Sequence, residues 1–397
     1  MLNKIEPSLP DPIMSLMEAY TQDPHADKVN LGIGLYYDHQ GNIPVMQAVK
    51  IAEQRLVEQQ RPHTYPPIEG APLYANQVQT LLLGQPMARV ATVQSVGGSG
   101  ALKLAADFLY HALSRREIWV SDPTWSNHWA IFEGAGLQVK TYPYFDDNTG
   151  LVSFDAMMGA LSCLPTGAVV LLHPCCHNPT GSDLTPSQWR SVIDLMHQRR
   201  LLPFFDIAYQ GFGEGLEEDS FALRETLKTD LDFLVSHSFS KNLALYGERL
   251  GSLSICCASP SVASNVKGML KTLIRRSYSC PPIHGSQIVE TVFADPALYQ
   301  NWVGELAAMR QRIRQMRISL SAALELQGAS LDYARIRNQK GMFSYTGLNE
   351  SQIGQLRHQH AIYLVAPGRM CLPGLNAHNI DYVTAAIVDV TRTTSKR

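Results

Sequence analysis

Short apolar runs alternate with helical patterns from about residue 90 to residue 257, and this alternation constrains the fold more than any other feature of the 397-residue chain. Strands that are apolar on both faces have to be covered on both faces, and intervening helices provide that cover. The pattern predicts an α/β fold with a mostly parallel sheet between layers of helices. The predicted strands lie at residues 90–96, 118–121, 138–142, 168–173, 202–206, 233–236 and 253–257. The predicted helices lie at residues 101–113, 127–135, 186–198 and 221–227.

The last third of the chain has a different pattern. A long helical stretch near 298–326 is followed by short strand patterns at 342–345 and 362–365 and by a helical pattern at 380–390. This mixture is typical of a second, smaller α+β domain.

Charge and cysteine content argue against several classes of protein. The 33 Lys and Arg nearly balance the 35 Asp and Glu, which disfavours a polyanion-binding protein. A stripe of Arg310, Arg314 and Arg317 on one helical face is therefore interpreted as solvated. No apolar run approaches the roughly 20 residues of a membrane helix, and the N-terminus lacks a signal-peptide pattern. Seven cysteines, with two adjacent pairs, indicate free thiols in a reducing cytoplasm.

Sites in open parallel sheets lie beyond the carboxyl ends of the strands, and several predicted strands end in chemically useful residues. Gly98 and Ser99 follow the first strand and precede a helix, where backbone amides attract an anion, although a tight turn explains the glycines equally well. Asn178, after the strand at 168–173, predicts a fixed amide donor. His173, His177 and their neighbouring cysteines suggest a metal site, but no second ligand cluster follows at zinc spacing.

Two further strand ends carry opposite charges. Asp206 ends an apolar strand, where a carboxylate needs a cation or several donors, unless it is the N-cap of a following helix. Lys241 follows Ser238 and Ser240, and Arg249 comes shortly after it. A lysine among apolar strands can titrate low enough to attack an aldehyde, whereas an ordinary loop lysine is solvated.

These strand ends together predict an anion site, a reactive amine, a carboxylate and an amide at one edge of the sheet. A phosphorylated aldehyde whose ring nitrogen requires a carboxylate partner uses all four groups. Pyridoxal 5′-phosphate (PLP) is such a cofactor.

A resemblance to a known family rests on the motifs GGSGAL (97–102), SDPTWSNH (121–128), CCHNPTG (175–181), DIAYQGF (206–212) and SFSKNLALYGERLG (238–251). The chain resembles the class I, aspartate-aminotransferase-like PLP enzymes of fold type I over essentially its whole length. LGIGLYY, YPPIEG, RRSYSCPP and GMFSYTGL look most like segments of the bacterial aromatic-amino-acid (tyrosine) aminotransferases. The resemblance implies a large PLP-binding domain with a seven-stranded sheet at 45–300. It also implies a small domain from 1–44 and 301–397, joined by the long helix near 298–326.

The resemblance also implies roles in cofactor binding and catalysis. Lys241 would hold PLP covalently and then carry the proton between substrate and cofactor. Asp206 would keep the ring nitrogen protonated, and Tyr209 and Asn178 would hydrogen-bond the phenolic oxygen. Trp125 would stack on the ring. The phosphate would be held by Gly98, Ser99, Ser238, Ser240 and Arg249.

The substrate would be held by residues from two subunits. Arg369 would bind the α-carboxylate as a bidentate fork, beside Asn178 and the Gly34 backbone. Tyr65 would reach the phosphate of the neighbouring subunit, and Arg275 would bind a distal carboxylate across the interface. The implied assembly is a homodimer with shared active sites and with no nucleic-acid or membrane partner.

The implied reaction is a ping-pong transamination of tyrosine and phenylalanine with 2-oxoglutarate, with dicarboxylic amino acids also accepted. Leu35 and Ile68 favour a pocket that admits rings, whereas the alternative is an aspartate aminotransferase. Cys280 replaces a small polar residue beside the distal-carboxylate site and leaves the ratio of the two activities open. His128 and His173 match positions near the ring, where a structural role is the commoner one.

Other classes of protein fit the sequence less well. A binding module has no use for a lysine, a carboxylate and an anion site together. A dinucleotide-dependent dehydrogenase needs GxGxxG and an acid about 20 residues later, and neither is correctly placed. Against a PLP decarboxylase or lyase, the two arginines Arg369 and Arg275 favour transamination, which holds the α-carboxylate in place.

Overall fold

Seven strands form the central sheet of the computed structural model, which describes residue 2 and residues 11–60, 62–329 and 333–393. The expectation of no signal peptide rests largely on residues outside these ranges. The strands of this sheet and of three two-stranded sheets are, in chain order, β1 (Val29–Asn30), β2 (Val90–Val96), β3 (Glu117–Asp122), β4 (Gln138–Pro143), β5 (Phe145–Asp146), β6 (Leu151–Val152), β7 (Val169–Leu172), β8 (Leu202–Ile207), β9 (Phe233–Ser238), β10 (Leu250–Cys256), β11 (Phe343–Tyr345), β12 (Ile362–Tyr363) and β13 (Arg369–Cys371).

Helices cover both faces of the central sheet. The α-helices among the described residues are, in chain order, α1 (Pro12–Gln22), α2 (Gln47–Gln59), α3 (Pro72–Leu83), α4 (Gly97–His111), α5 (Asn127–Glu133), α6 (Phe154–Ser162), α7 (Pro186–Arg199), α8 (Phe221–Thr226), α9 (Pro260–Ser277), α10 (His284–Ala294), α11 (Pro296–Leu326), α12 (Glu350–His360) and α13 (Ile380–Thr393). Within the described ranges, none of these helices combines the length and apolar character needed to cross a membrane.

The strand order is β2-β10-β9-β8-β7-β3-β4. Strand β10 runs antiparallel to both of its neighbours, and the other adjacent pairs are parallel. The carboxyl ends of β2, β7, β8 and β9 therefore meet at the same edge of the sheet. The predicted α/β fold with a mostly parallel sheet is confirmed.

Alternate residues of the central strands face opposite sides of the sheet, as the pleat requires. Val170 and Leu172 of β7 belong to one apolar cluster, whereas Val169 and Leu171 belong to the cluster on the other face. Every residue of β7, β9 and β10 is buried. Full burial on both faces explains why these strands are continuous apolar runs rather than alternating ones.

The predicted boundaries differ from the structure mainly beside the candidate site. Strand β10 begins at Leu250 rather than at 253, because Leu250 pairs with Val96 and Gly251 pairs with Ser238. Helix α4 begins at Gly97 rather than at 101. The glycine-rich segment is thus the first turn of a helix rather than a separate turn.

The long helix α11 begins at a strong N-terminal signal. The Asp295 carboxylate accepts the N–H groups of Ala297 and Leu298, and Pro296 occupies the first turn, where its missing N–H costs nothing. Arg317 on this helix is buried and donates to the carbonyl oxygens of Gly341 and Phe343. The interpretation of the arginine stripe as a solvated face is therefore wrong for Arg317.

Two small sheets join distant parts of the chain. Strand β1 pairs in parallel with β12, so that Val29 lies beside Ile362, and β11 pairs antiparallel with β13. The first pairing agrees with a small domain that draws on both ends of the chain. The division into residues 45–300 and residues 1–44 with 301–397 stays a prediction.

Candidate active site

A cavity of about 420 Å³ lies where β2, β7, β8 and β9 end. The structure brings the predicted site residues together in its lining, with the exceptions of Tyr65 and Arg275. The lining residues that the sequence predicted are Gly34, Gly98, Ser99, Trp125, Asn178, Asp206, Tyr209, Ser238, Ser240, Lys241, Arg249 and Arg369.

Lys241 follows β9 and lines the cavity beside Tyr209, with its Nζ 4.9 Å from the centre of the tyrosine ring. Burial lowers the pKa of the Lys241 amine to about 8, with Asp206 opposing the shift and Arg249 and Arg369 adding to it. A larger share of neutral amine is thus present near neutral pH than in an ordinary lysine. The structure therefore places a nucleophilic amine in this cavity.

Asp206 lies on β8 and faces His128. Oδ2 of Asp206 is 3.1 Å from Nε2 of His128, whose Nδ1 lies 2.8 Å from Oγ1 of Thr124. Burial raises the pKa of Asp206, but the hydrogen bond with His128 and the electrostatic influence of His128, His173 and Lys241 outweigh it and hold the pKa below its usual value. No helix among the described residues begins with Asp206 as its cap. The carboxylate is thus kept ionised inside the cavity.

His173 contributes a buried nitrogen that has no protein partner among the described residues. Its Nδ1 accepts the backbone N–H of Asn178 at 3.3 Å, whereas Nε2 has no hydrogen-bond partner. Burial lowers the pKa of His173 to about 3, so that its ring is neutral. An unpaired polar atom in a cavity wall is suited to a polar ligand.

The start of α4 and Arg249 form an anion-binding corner. The first N–H groups of a helix have no partner within the helix, and here they include those of Gly98 and Ser99. Gly97 has φ +69°, and a Cβ atom there would lie 2.4 Å from Nη2 of Arg249. Only glycine therefore lets the guanidinium lie against the first turn. Arg249 also donates to Oγ of Ser240 at 3.4 Å. This corner suits a phosphate group.

Arg369, on β13, is held from three sides. Nη1 donates to Oδ1 of Asn178 at 3.2 Å, and Nη2 donates to the carbonyl oxygen of Gly32 at 2.7 Å. The guanidinium carbon lies 4.3 Å from the centre of the Phe343 ring. Nε is buried and has no hydrogen-bond partner in the described part of the chain, and burial lowers the pKa of Arg369. A carboxylate would satisfy this buried cation.

No local sequence signal indicates a role for Phe343 or Gly32. Phe343 stands inside the GMFSYTGL motif, which contributes to the family resemblance, and nothing local marks its ring as the platform under Arg369. The antiparallel register of β11 with β13, in which Phe343 pairs with Cys371, brings this segment beside the arginine. Neither segment's sequence, taken alone, indicates that the two segments pair.

Tyr65 and Arg275 lie elsewhere, on an open surface pocket of about 860 Å³. Tyr65 is 93% exposed, and Arg275 is exposed and donates to Oγ of Ser279. Ile68 and Cys280 line the same pocket. The structure of one chain therefore does not bring these two residues to the cavity.

Comparisons with known proteins agree over nearly the whole chain. The model of the family "Aminotransferase class I and II" matches residues 26–387. The aromatic-amino-acid aminotransferase of Escherichia coli is 48% identical over 398 residues, covering 98% of this chain and 100% of that protein. The aspartate aminotransferase of Pseudomonas aeruginosa is 44% identical over 395 residues, with 98% and 99% covered.

A solved structure is similarly close. The aromatic-amino-acid aminotransferase of Burkholderia pseudomallei, covalently bound to pyridoxal phosphate, matches with a TM-score of 0.96 at 46% identity. The match covers 98% of this chain and 99% of that one.

Proposed function

This chain belongs to the class I and II aminotransferase family, and we propose that it transfers amino groups from tyrosine and phenylalanine to 2-oxoglutarate. It is an aminotransferase, and its cofactor is PLP. The observation that carries the proposal is the single cavity that contains Lys241, Asp206 and Arg369. These three residues offer an amine, a carboxylate and a carboxylate-binding cation.

The residues of the cavity fit PLP. Nε2 of His173 and Nε of Arg369 are buried and unpaired among the described residues, which suits a polar ligand between them. Lys241 would be the point of covalent attachment, and Trp125 would pack against the ring. When bound, PLP supplies an electron-withdrawing ring to the substrate carbon that loses its proton. The phosphate would be held by Gly98, Ser99, Ser238, Ser240 and Arg249.

Lys241 and Asp206 would divide the proton chemistry between them. The Lys241 amine, whose pKa is lowered by burial, would take the proton from the substrate Cα and deliver it to the cofactor. Asp206, whose pKa is held below its usual value by the hydrogen bond with His128, would keep the ring nitrogen protonated. Tyr209 and Asn178 would donate hydrogen bonds to the phenolic oxygen of the ring.

Arg369 would hold the α-carboxylate of every substrate, with Asn178 and the Gly34 backbone beside it. The Phe343 ring supports the guanidinium from below. Apolar lining residues such as Ile33 would favour aromatic side chains over charged ones. The alternative, with aspartate as the main substrate, is favoured by the 44% identical relative from Pseudomonas aeruginosa.

The active assembly would be a homodimer with shared sites. Tyr65 would contact the phosphate in the partner's cavity, and Arg275 would bind the distal carboxylate of 2-oxoglutarate, glutamate or aspartate there. Support comes from their exposure on the surface, outside the cavity of their own chain. A cytoplasmic location is proposed as well, in keeping with seven free cysteines.

The test is a set of single-turnover half-reactions with phenylalanine, tyrosine and aspartate, followed by steady-state ping-pong kinetics with 2-oxoglutarate. We expect all three amino acids to react, with kcat/KM for the aromatic ones at least equal to that for aspartate. A protein that ignores phenylalanine and tyrosine would instead be an aspartate aminotransferase. A protein that converts none of them would end the proposal.

A further inference from the structure

The loop at 176–183 presents Asn178 to Arg369, and the partly buried carboxylate of Asp183 holds this loop in shape. Oδ2 of Asp183 accepts the backbone N–H of Cys176 at 2.7 Å, and Oδ1 accepts that of His177 at 2.8 Å. Both oxygens of one side chain thus fix the two residues directly before Asn178. Cys176 has a φ of 52°, a left-handed conformation that costs a non-glycine residue energy and needs such an anchor.

His177 completes the frame of the loop. Its ring lies between two hydroxyl groups, with Nδ1 2.8 Å from Oγ1 of Thr180 and Nε2 2.9 Å from Oγ of Ser121. It also stacks on Tyr144 with ring centres 4.0 Å apart. Burial lowers the pKa of His177 well below its usual value, so that the ring acts as a neutral spacer.

The same loop is tied to the segment that carries Phe343. The backbone N–H of Lys340 donates to the carbonyl oxygen of Gly181 at 2.6 Å. A Cβ atom at Gly181, where φ is +70°, would lie 2.5 Å from the carbonyl oxygen of Phe343. The loop therefore carries the Asn178 amide that contacts Arg369, and it also packs against the segment that carries Phe343.

We propose that Asp183 is a positioning residue, whose carboxylate fixes the Asn178 amide against Arg369 and thereby sets the affinity for the α-carboxylate of every substrate. This inference rests on the proposed function, in which Arg369 and Asn178 bind that carboxylate. It concerns a residue that lies outside the cavity lining and acts through the backbone of its neighbours.

The charge of Asp183 is needed because two backbone donors converge on it. An asparagine in its place would offer one oxygen and would turn an NH2 group toward the second donor. Burial raises the pKa of Asp183 to about 6, although the two backbone hydrogen bonds and Lys340 lower it. The loop is therefore expected to loosen as the pH falls through about 6. The titratable and charged groups around this carboxylate are Tyr144, Cys175, Cys176, His177, Asp219, Arg317 and Lys340.

The experiment compares Asp183→Asn with a matched variant, Asp219→Asn. Asp219 is buried and likewise accepts backbone N–H groups, those of Gly211, Gly213 and Glu214, but its loop carries no residue proposed to bind substrate. We expect both variants to unfold at a lower temperature. Only Asp183→Asn should raise KM, for phenylalanine and aspartate alike and by about ten- to a hundredfold, with a smaller change in kcat.

Two further readouts separate positioning from general damage. The dissociation constant of 3-phenylpropionate, a carboxylate that undergoes no reaction, should rise with KM in Asp183→Asn. In a double-mutant cycle with Asn178→Ala, Asp183→Asn should add little, because Asp183 acts through Asn178. Fully additive losses, or an unchanged KM in Asp183→Asn, would overturn the inference.

If Asp183→Asn does not fold, the pH dependence decides. The wild-type protein should lose affinity for 3-phenylpropionate as the pH falls from 7.5 to 5.5. The affinity of Asn178→Ala for the same ligand should not fall over this pH range. An equal loss of affinity with pH in both proteins would overturn the inference. The proposed function fails separately, through a wild-type protein without aminotransferase activity toward any of the three amino acids.

Discussion

The cavity and the surface pocket differ in how completely one chain builds them. In the cavity, Lys241, Asp206 and Arg369 lie close together, and each has a pKa shifted by its surroundings. In the surface pocket, Tyr65 is 93% exposed and Arg275 reaches only Ser279 among the described residues. The difference suggests that the first region is preorganised for chemistry, whereas the second becomes functional against another surface.

This contrast leads to different expectations for substitutions in the two regions. Changes in the cavity should affect all substrates, because every substrate undergoes the same bond changes there. Changes in the surface pocket should separate substrates by their distal group.

The largest effect is expected from Lys241→Ala, which removes the only amine that lines the cavity within the described part of the chain. Turnover should be abolished for aromatic and dicarboxylic substrates alike, while PLP still binds through its phosphate. Borohydride reduction of the wild-type protein followed by peptide mapping should label Lys241. Lys103→Ala, a surface lysine paired with Asp107, is the control and should keep full activity. A label on another lysine would contradict the assignment.

The second-largest effect is expected from Asp206→Asn. This variant should lose about 3–5 kcal/mol of transition-state stabilisation, as expected when one partner of a buried charge pair is removed. The variant keeps the shape of the side chain and removes the charge that is proposed to hold the proton on the ring nitrogen. Single-turnover rates with phenylalanine and with aspartate should fall by the same factor. A near-normal kcat would mean that the carboxylate has only a structural role.

Arg275→Leu should lower kcat/KM for aspartate and glutamate by about a hundredfold, since a charge-assisted bidentate contact is lost. Half-reactions with phenylalanine and tyrosine should survive, because a ring needs no cation in that place. Arg276→Leu, a change at the adjacent arginine in the last turn of α9, is the matched control. Equal losses for both classes of substrate would remove the distinction between the two regions.

The smallest effect concerns the pH at which the Lys241 amine loses its proton and becomes nucleophilic. Burial lowers the pKa of Lys241 to about 8, so the neutral amine is half formed near that pH rather than near 10.5. In the cofactor-free protein, the rate of covalent capture of PLP should therefore rise with pH and level off above about 8. Stopped-flow absorbance measures this rate. A rise that continues to pH 10 would indicate a solvated lysine.

Much of the cavity could be predicted because its residues follow apolar strands directly. Asp206 lies near the end of β8, and Lys241 follows β9. The rule that parallel strands end at one edge of the sheet therefore sufficed to place these two residues together. The first turn of α4 was predicted as a loop, because glycines favour turns when no tertiary contact is known. In the structure, Gly97 is required by the approach of Arg249.

Other features depend on contacts between distant segments. Arg317 was placed on a solvated face, since helical spacing alone does not show that β11 and its preceding turn pack over that part of α11. No local sequence signal marks Phe343 or Asp183, because their contacts with Arg369 and with the two residues before Asn178 arise from the register of a small sheet and the fold of one loop. Sequence periodicity indicates which residues are buried, but it does not indicate which polar groups those residues contact.

The most direct test of the shared site uses mixed dimers with two different tags, purified from co-expressed chains. A dimer of Lys241→Ala with Arg275→Leu should regain transamination of aspartate, because one of its two sites then combines an intact Lys241 with an intact Arg275 from the partner. A dimer of Lys241→Ala with Arg369→Ala should regain nothing, since each cavity carries one defect. Recovery in the second mixture, or none in the first, would contradict the account in which each cavity is completed by the other chain.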